Sequence, residues 1–155
     1  MTAINPVTDF SKDGEIGIIT LNSPPVNALS ANVRDGLHQG FKAAIEDPSV
    51  KAIVLICEGR TFIAGADISE FGGAQKGASL FDVQAMMEDS PKPVVAAIHG
   101  TALGGGLEVA LCAHYRVAVL SARCGLPEVI SACCLAPVAP SACRASPASR
   151  RRSRW

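Results

Sequence analysis

The stretch KPVVAAIHGTALGGGLEVALCAHYRVA, residues 92–118, decides the fold. PVVAAI (93–98) is a short apolar run that reads as a strand, HGTALGGG (99–106) as a loop, LEVALCAHY (107–115) as a helix and RVAV (116–119) as a second strand. Strand, helix, strand is one crossover unit of a parallel sheet. Its helix begins oddly. Three glycines, Gly104 to Gly106, stand where good helix formers are expected, and Glu108 sits among Leu107, Val109, Ala110 and Leu111. Such a carboxylate is costly to bury unless something uses it.

The same grammar extends upstream. IGIITL (16–21) reads as a strand closed by the turn-forming NSPP. Ser30 is a candidate N-cap for a helix whose apolar residues recur at Val33, Leu37, Phe41 and Ile45. KAIVLIC (51–57) is continuously apolar, as a strand buried on both faces should be. EGRTFIAGAD (58–67) reads as a loop, and Leu80, Val83 and Met87 mark a further helix. The fold class is therefore α/β with a parallel sheet and right-handed crossovers. Loops 58–67 and 99–106 both leave the carboxyl ends of strands, where such sheets build ligand sites, and should face the same side.

Composition narrows the function. The 155 residues are 48% hydrophobic and 5% aromatic, enough for one aliphatic core. Formal charge is zero, but five of the 14 basic residues (Arg144, Arg150, Arg151, Arg152, Arg154) lie beyond residue 129, so the preceding part is net acidic. That sign argues against a nucleic-acid partner for the main domain. MTAINPVTDF lacks the basic and apolar regions of a secretory signal, and the richest apolar run, 101–120, is broken by Glu108, His114 and Arg116. No membrane partner is expected, and the cytoplasm or an organelle matrix is the default location.

Cys57 and Cys112 read as buried free thiols, and no Cys/His spacing suits a metal. GGAQKGAS (72–79) has phosphate-loop glycine spacing, but Ala78 stands where the lysine belongs, and no GxGxxG follows the first strand. No nucleotide cofactor is expected.

Two domains of character emerge: residues 1–129, and a tail 130–155 almost wholly of Ala, Ser, Pro, Cys and Arg. The tail reads as an out-of-frame translation of a GC-rich gene, ahead of a disordered basic tail or an RNA-binding arm. An intact reading frame in transcript and peptides would overturn the frameshift reading.

Small residues in IAGAD and ALGGG let backbone N–H groups approach a ligand. Two such groups converging on one oxygen, one of them at a helix N-terminus, form an oxyanion hole. Glu108 falls in the first turn of that helix, and Glu128 follows twenty residues later in CGLPEV. Two carboxylates flanking a polarised carbonyl can divide acid and base work. A surface-loop role for Glu128, and a capping role for Glu108 beside a packing glycine loop, are the structural alternatives.

PPVNALS, FIAGADISEF, the 92–118 stretch and CGLPEV, in this order and spacing, resemble the successive motifs of the enoyl-CoA hydratase/isomerase (crotonase) family over about residues 14–129. PPVNALS together with the glycine triplet, Glu108 and HYRVA is most similar to the hydratase region of multifunctional β-oxidation enzymes, which join it to an NAD-dependent 3-hydroxyacyl-CoA dehydrogenase.

The resemblance implies a crotonase-like spiral of ββα units with a mainly parallel sheet, here incomplete because family domains continue with C-terminal helices. It implies an oxyanion hole from the N–H groups of Ala66 and Gly105, with Glu108 activating the water that attacks C3 and Glu128 delivering the proton to C2. Having both glutamates favours hydration over isomerisation, although multifunctional members of the family can do both. Asn27 and Ala28 match positions that contact coenzyme A, Ile68 lies near the adenine, and Ala64, Gly65, Asp67 and Gly104 complete the substrate-binding set, although Asp67 also reads as a loop-holding residue. His99 and His114 are expected to be structural. Coenzyme A enters as part of an acyl-CoA thioester substrate, with no further cofactor. A homotrimer or a fused dehydrogenase domain is the implied partner. An inactive, truncated CoA-binding fragment or interaction module is the competing reading.

Overall fold

The computed structural model describes residues 2–67 and 77–126. Ile68, Glu128 and the tail 130–155 lie outside these residues.

The apolar runs pair as strands of one sheet. β3 (Ile16–Leu21) lies parallel to β4 (Ala52–Cys57), with Ile16 opposite Ala52 and Leu21 opposite Cys57. β4 is parallel to β6 (Val94–Ile98), and β6 to β8 (Tyr115–Ala118). Two N-terminal strands, β1 (Thr2–Asn5) and β2 (Thr8–Asp13), add to β3 as an antiparallel ribbon, giving the sheet order β1-β2-β3-β4-β6-β8. Two residues, Gly14 and Glu15, join β2 to β3, and Gly14 takes the positive φ (+58°) that such a tight turn needs.

The four-residue stride upstream forms α1 (Ala31–Glu46), and Ser30 caps it by accepting from Val33 N–H at 3.4 Å. Val33, Leu37 and Phe41 are fully buried, with Ile45 only half-buried at the end of the stripe. They meet the alternate residues Ile19 and Leu21 of β3 and Ile53 and Leu55 of β4 in one core. α2 (Leu80–Glu88) closes its own start with a capping box between Ser79 and Asp82, and buries Val83 and Met87. α3 (Gly105–Cys112) starts two residues before the 107–115 reading, inside the segment read as loop, and ends three residues short of it, because Ala113 turns extended and Tyr115 already belongs to β8.

Three corrections follow. The segments read as loops, 58–67 and 99–106, contain strands β5 (Thr61–Ala64) and β7 (Thr101–Leu103), which form a second, all-parallel sheet with β9 (Arg123–Gly125), a stretch given no reading from sequence, in the order β5-β7-β9. Strands of three or four residues are too short to show a period. With them, the chain repeats strand, strand, helix (β4-β5-α2, then β6-β7-α3), the spiral of ββα units expected from the resemblance.

The strand 51–57 is not buried on both faces. Ile53, Leu55 and Cys57 are buried, whereas Ala52, Val54 and Ile56 are half-buried. β8 is exposed along its length, with Tyr115 at 64% and Val117 at 58%, so the described residues cover one face of this sheet much better than the other. Finally, Cys57 is a buried free thiol but Cys112 is only half-buried. No helix among the described residues is long and apolar enough to cross a membrane.

Candidate active site

Strand pairing, not side chains, brings the two small-residue segments together. β5 and β7 run parallel with Ala64 opposite Leu103, so Ala66 and Gly105 each lie two residues beyond the same pair, at the same end of the sheet. Both segments face the same side, as expected of loops leaving parallel strands.

Beyond β7 the chain turns at Gly104, whose φ of +51° and ψ of −128° suit a residue without Cβ. Gly104 N–H donates to the Gly125 carbonyl of β9 at 3.0 Å, and its own carbonyl accepts from Leu107 and Glu108 at 2.9 and 3.0 Å, starting α3. The two amides ahead of that ladder, Gly105 N–H and Gly106 N–H, make no hydrogen bond to a described residue. They sit at the positive end of the helix dipole. Gly106 packs directly on β5: a Cβ there would fall 2.1 Å from the Ile63 carbonyl oxygen.

Ala66 is exposed, and its N–H likewise donates to no described residue. It is bridged to Leu29, whose N–H donates to the Gly65 carbonyl at 2.9 Å. The Leu29 side chain also touches Gly105, its Cδ1 lying 2.8 Å from where a Cβ of that glycine would stand. One residue thus contacts both halves of the proposed oxygen site.

The segment carrying Leu29 is fixed by Asn27. This side chain is 2% exposed; its Oδ1 accepts from Ser23 N–H at 2.7 Å, and its Nδ2 donates to the carbonyls of Glu58 and Thr61 at 2.9 and 3.0 Å. Its side chain serves the fold, so a ligand would meet main chain at Asn27 and Ala28. Ala64 N–H donates to the Val26 carbonyl at 3.2 Å, stitching the same segment to β5. Gly65 and Asp67 are half-buried alongside.

Glu108 projects exposed from the first turn of α3. One turn further along, the Cys112 thiol is pushed up to about 11, first by burial, then by a hydrogen bond to and the charge of Glu88, and then by the charge of Glu108. Glu128, expected to be the second carboxylate of the site, lies outside the described residues, as does Ile68. His99 places Nε2 2.9 Å from the Gly59 carbonyl, and His114 Nδ1 accepts from Val94 N–H at 3.1 Å. Both serve the backbone, as expected.

Sequence reasoning missed Leu29 and Arg34. Arg34 is 8% exposed and holds the carbonyls of Leu29 and Ala78. Its signal was its place on the buried stripe, three and seven residues before Leu37 and Phe41.

A family model described as enoyl-CoA hydratase/isomerase matches residues 11–134. The chain belongs to this family. Within the enoyl-CoA hydratase/isomerase family it is 50% identical over 114 residues to a peroxisomal bifunctional enzyme of Danio rerio, covering 74% of this chain and 16% of the relative. It is 40% identical over 127 residues to a probable enoyl-CoA hydratase of Bacillus subtilis (strain 168), covering 76% of this chain and 48% of the relative. In structure it resembles an enoyl-CoA hydratase/carnithine racemase from Magnetospirillum magneticum, with a TM-score of 0.74, 33% identity and coverage of 82% of this chain and 52% of that one. The chain spans between about a sixth and about half of the length of these family members.

Proposed function

We propose that this chain carries the catalytic half of an enoyl-CoA hydratase, adding water across the 2,3 double bond of an enoyl-CoA thioester in fatty acid β-oxidation. The observation that supports this reading best is the parallel register of β5 and β7, which brings Ala66 and Gly105 to the same end of the sheet, each with an amide N–H that donates to no described residue.

In this reading the two N–H groups grip the thioester oxygen. Glu108 takes a proton from water as the water oxygen bonds to C3; the π electrons pass through C2 to the thioester oxygen, giving an enolate. The enolate collapses as C2 takes a proton from Glu128, and the Glu108 proton resets the pair. Donors aimed at the developing oxyanion are worth about 10²–10³ in rate each. Coenzyme A is part of the substrate, and no other cofactor is invoked.

A dehydrogenase partner, fused or separate, is supported by the bifunctional name of the Danio rerio relative, and an aqueous compartment such as an organelle matrix by its peroxisomal one. A homotrimer of the chain is the other assembly we propose. The half-covered outer face of the sheet favours a second reading, a CoA-thioester-binding fragment without turnover. Crotonyl-CoA separates them: loss of the conjugated thioester absorbance, abolished in Glu108→Gln, supports the hydratase, whereas binding without turnover supports the fragment.

A further inference from the structure

We propose that Arg34 is a positioning residue for the thioester oxygen site, its guanidinium setting the direction in which the Ala66 N–H is presented. This inference rests on the hydratase reading. Arg34 is buried, and a buried cation demands hydrogen-bond acceptors. Two of its bonds go to main-chain carbonyls: Nη1 donates to Leu29 at 2.7 Å and Nε to Ala78 at 2.9 Å.

The first bond leads to the site in two steps. Leu29 N–H donates to the Gly65 carbonyl at 2.9 Å. That carbonyl and the Ala66 N–H are opposite ends of one planar peptide, so anchoring the oxygen fixes where the N–H points. The second bond leads there by another route. Ala78 is held on both sides by α1, its carbonyl by Arg34 and its N–H by Asp35 Oδ1 at 2.6 Å, and it stands two residues before Leu80. The atoms nearest a Cβ at Gly105 are Leu29 Cδ1 at 2.8 Å and Leu80 Cδ2 at 3.3 Å. Both neighbours of Gly105 therefore come from segments that Arg34 grips. The guanidinium fork spans the two carbonyls, which a lysine ammonium cannot do in the same way. Arg34 touches no reacting atom in this scheme; it acts through Leu29 and Leu80.

The test uses the full chain with Arg34→Met and Arg34→Lys, comparing kcat and KM for crotonyl-CoA and the near-UV absorbance of bound acetoacetyl-CoA, a thioester whose enolate absorbs there. Misplacing a reacting group by an ångström costs up to about 10²-fold. We expect kcat to fall about 10- to 100-fold in Arg34→Met and several-fold in Arg34→Lys, with KM within about two-fold and a weakened enolate band. A folded variant with lower thermal stability but unchanged kcat and enolate band would overturn the proposal, leaving Arg34 a purely structural residue. Should Arg34→Met fail to fold, the same comparison in Arg34→Lys decides. A wild-type chain that neither turns over nor gives the enolate band would overturn the hydratase reading itself, and this inference with it.

Discussion

Gly106 rests against Ile63 so closely that a methyl group on its Cα would lie 2.1 Å from the Ile63 carbonyl oxygen. That oxygen is backbone in a paired strand and cannot swing aside. Gly106→Ala should therefore cost about 3 kcal/mol or more, the upper end for overpacking. A chemical denaturation curve checks this, and a midpoint equal to wild type would show that β5 and α3 separate more easily than their packing implies.

Glu108→Gln tests the chemistry apart from the fold. The side chain is exposed, so its replacement should leave the melting temperature within a degree or two while lowering crotonyl-CoA hydration by about 10²–10⁴. Unaltered turnover would remove Glu108 from the reaction.

Asn27→Ala should destabilise the chain by about 3 kcal/mol, because it leaves the partly buried Ser23 N–H and the Glu58 and Thr61 carbonyls without their partner. A positive φ of 52° at this position adds to the cost, since alanine adopts it less readily than asparagine. Thermal melts check this, and a ligand-independent loss of stability distinguishes it from a binding defect.

The three thiols among the described residues should label in a fixed order. Cys124 is exposed, Cys112 is held protonated up to about 11, and Cys57 is pushed higher still by burial alone. Peptide mapping after brief alkylation at neutral pH should find Cys124 modified, Cys112 slower and Cys57 protected until denaturation. Cys112 labelling should rise with pH toward 11. Its raised value means the folded state keeps a proton that the unfolded chain loses first. This contribution to stability is thus full below 9 and disappears as pH climbs through 11. Equal labelling of Cys57 and Cys124 in the native chain would contradict the burial order.

What could be read from residues alone follows physical range. The stride Val33, Leu37, Phe41 encodes a helix locally, and all three are fully buried. The glycines at 104–106 read as admitting a ligand to the backbone; that one of them, Gly106, packs on the Ile63 carbonyl is visible only once α3 is seen against β5. The second sheet was illegible because TFIA, TAL and RCG are too short for alternation to register, and their pairing is set by partners far along the chain. Leu29 escaped notice for a similar reason: nothing in NALS says that its N–H meets Gly65 and its side chain Gly105. The outer face of β4 was misjudged because an apolar run shows what a strand tolerates and not what covers it.

The pairing of β5 with β7 has a consequence for how such a fold can diversify. Neighbouring strands repeat at about 4.8 Å whatever their side chains. If polarisation of the carbonyl is gauged by that repeat, then residues lining the acyl end can be exchanged without recalibrating it. On the proposed hydratase reading, what the molecule accepts is then free to drift, while the placement of Ala66 and Gly105 is inherited unchanged with the ladder.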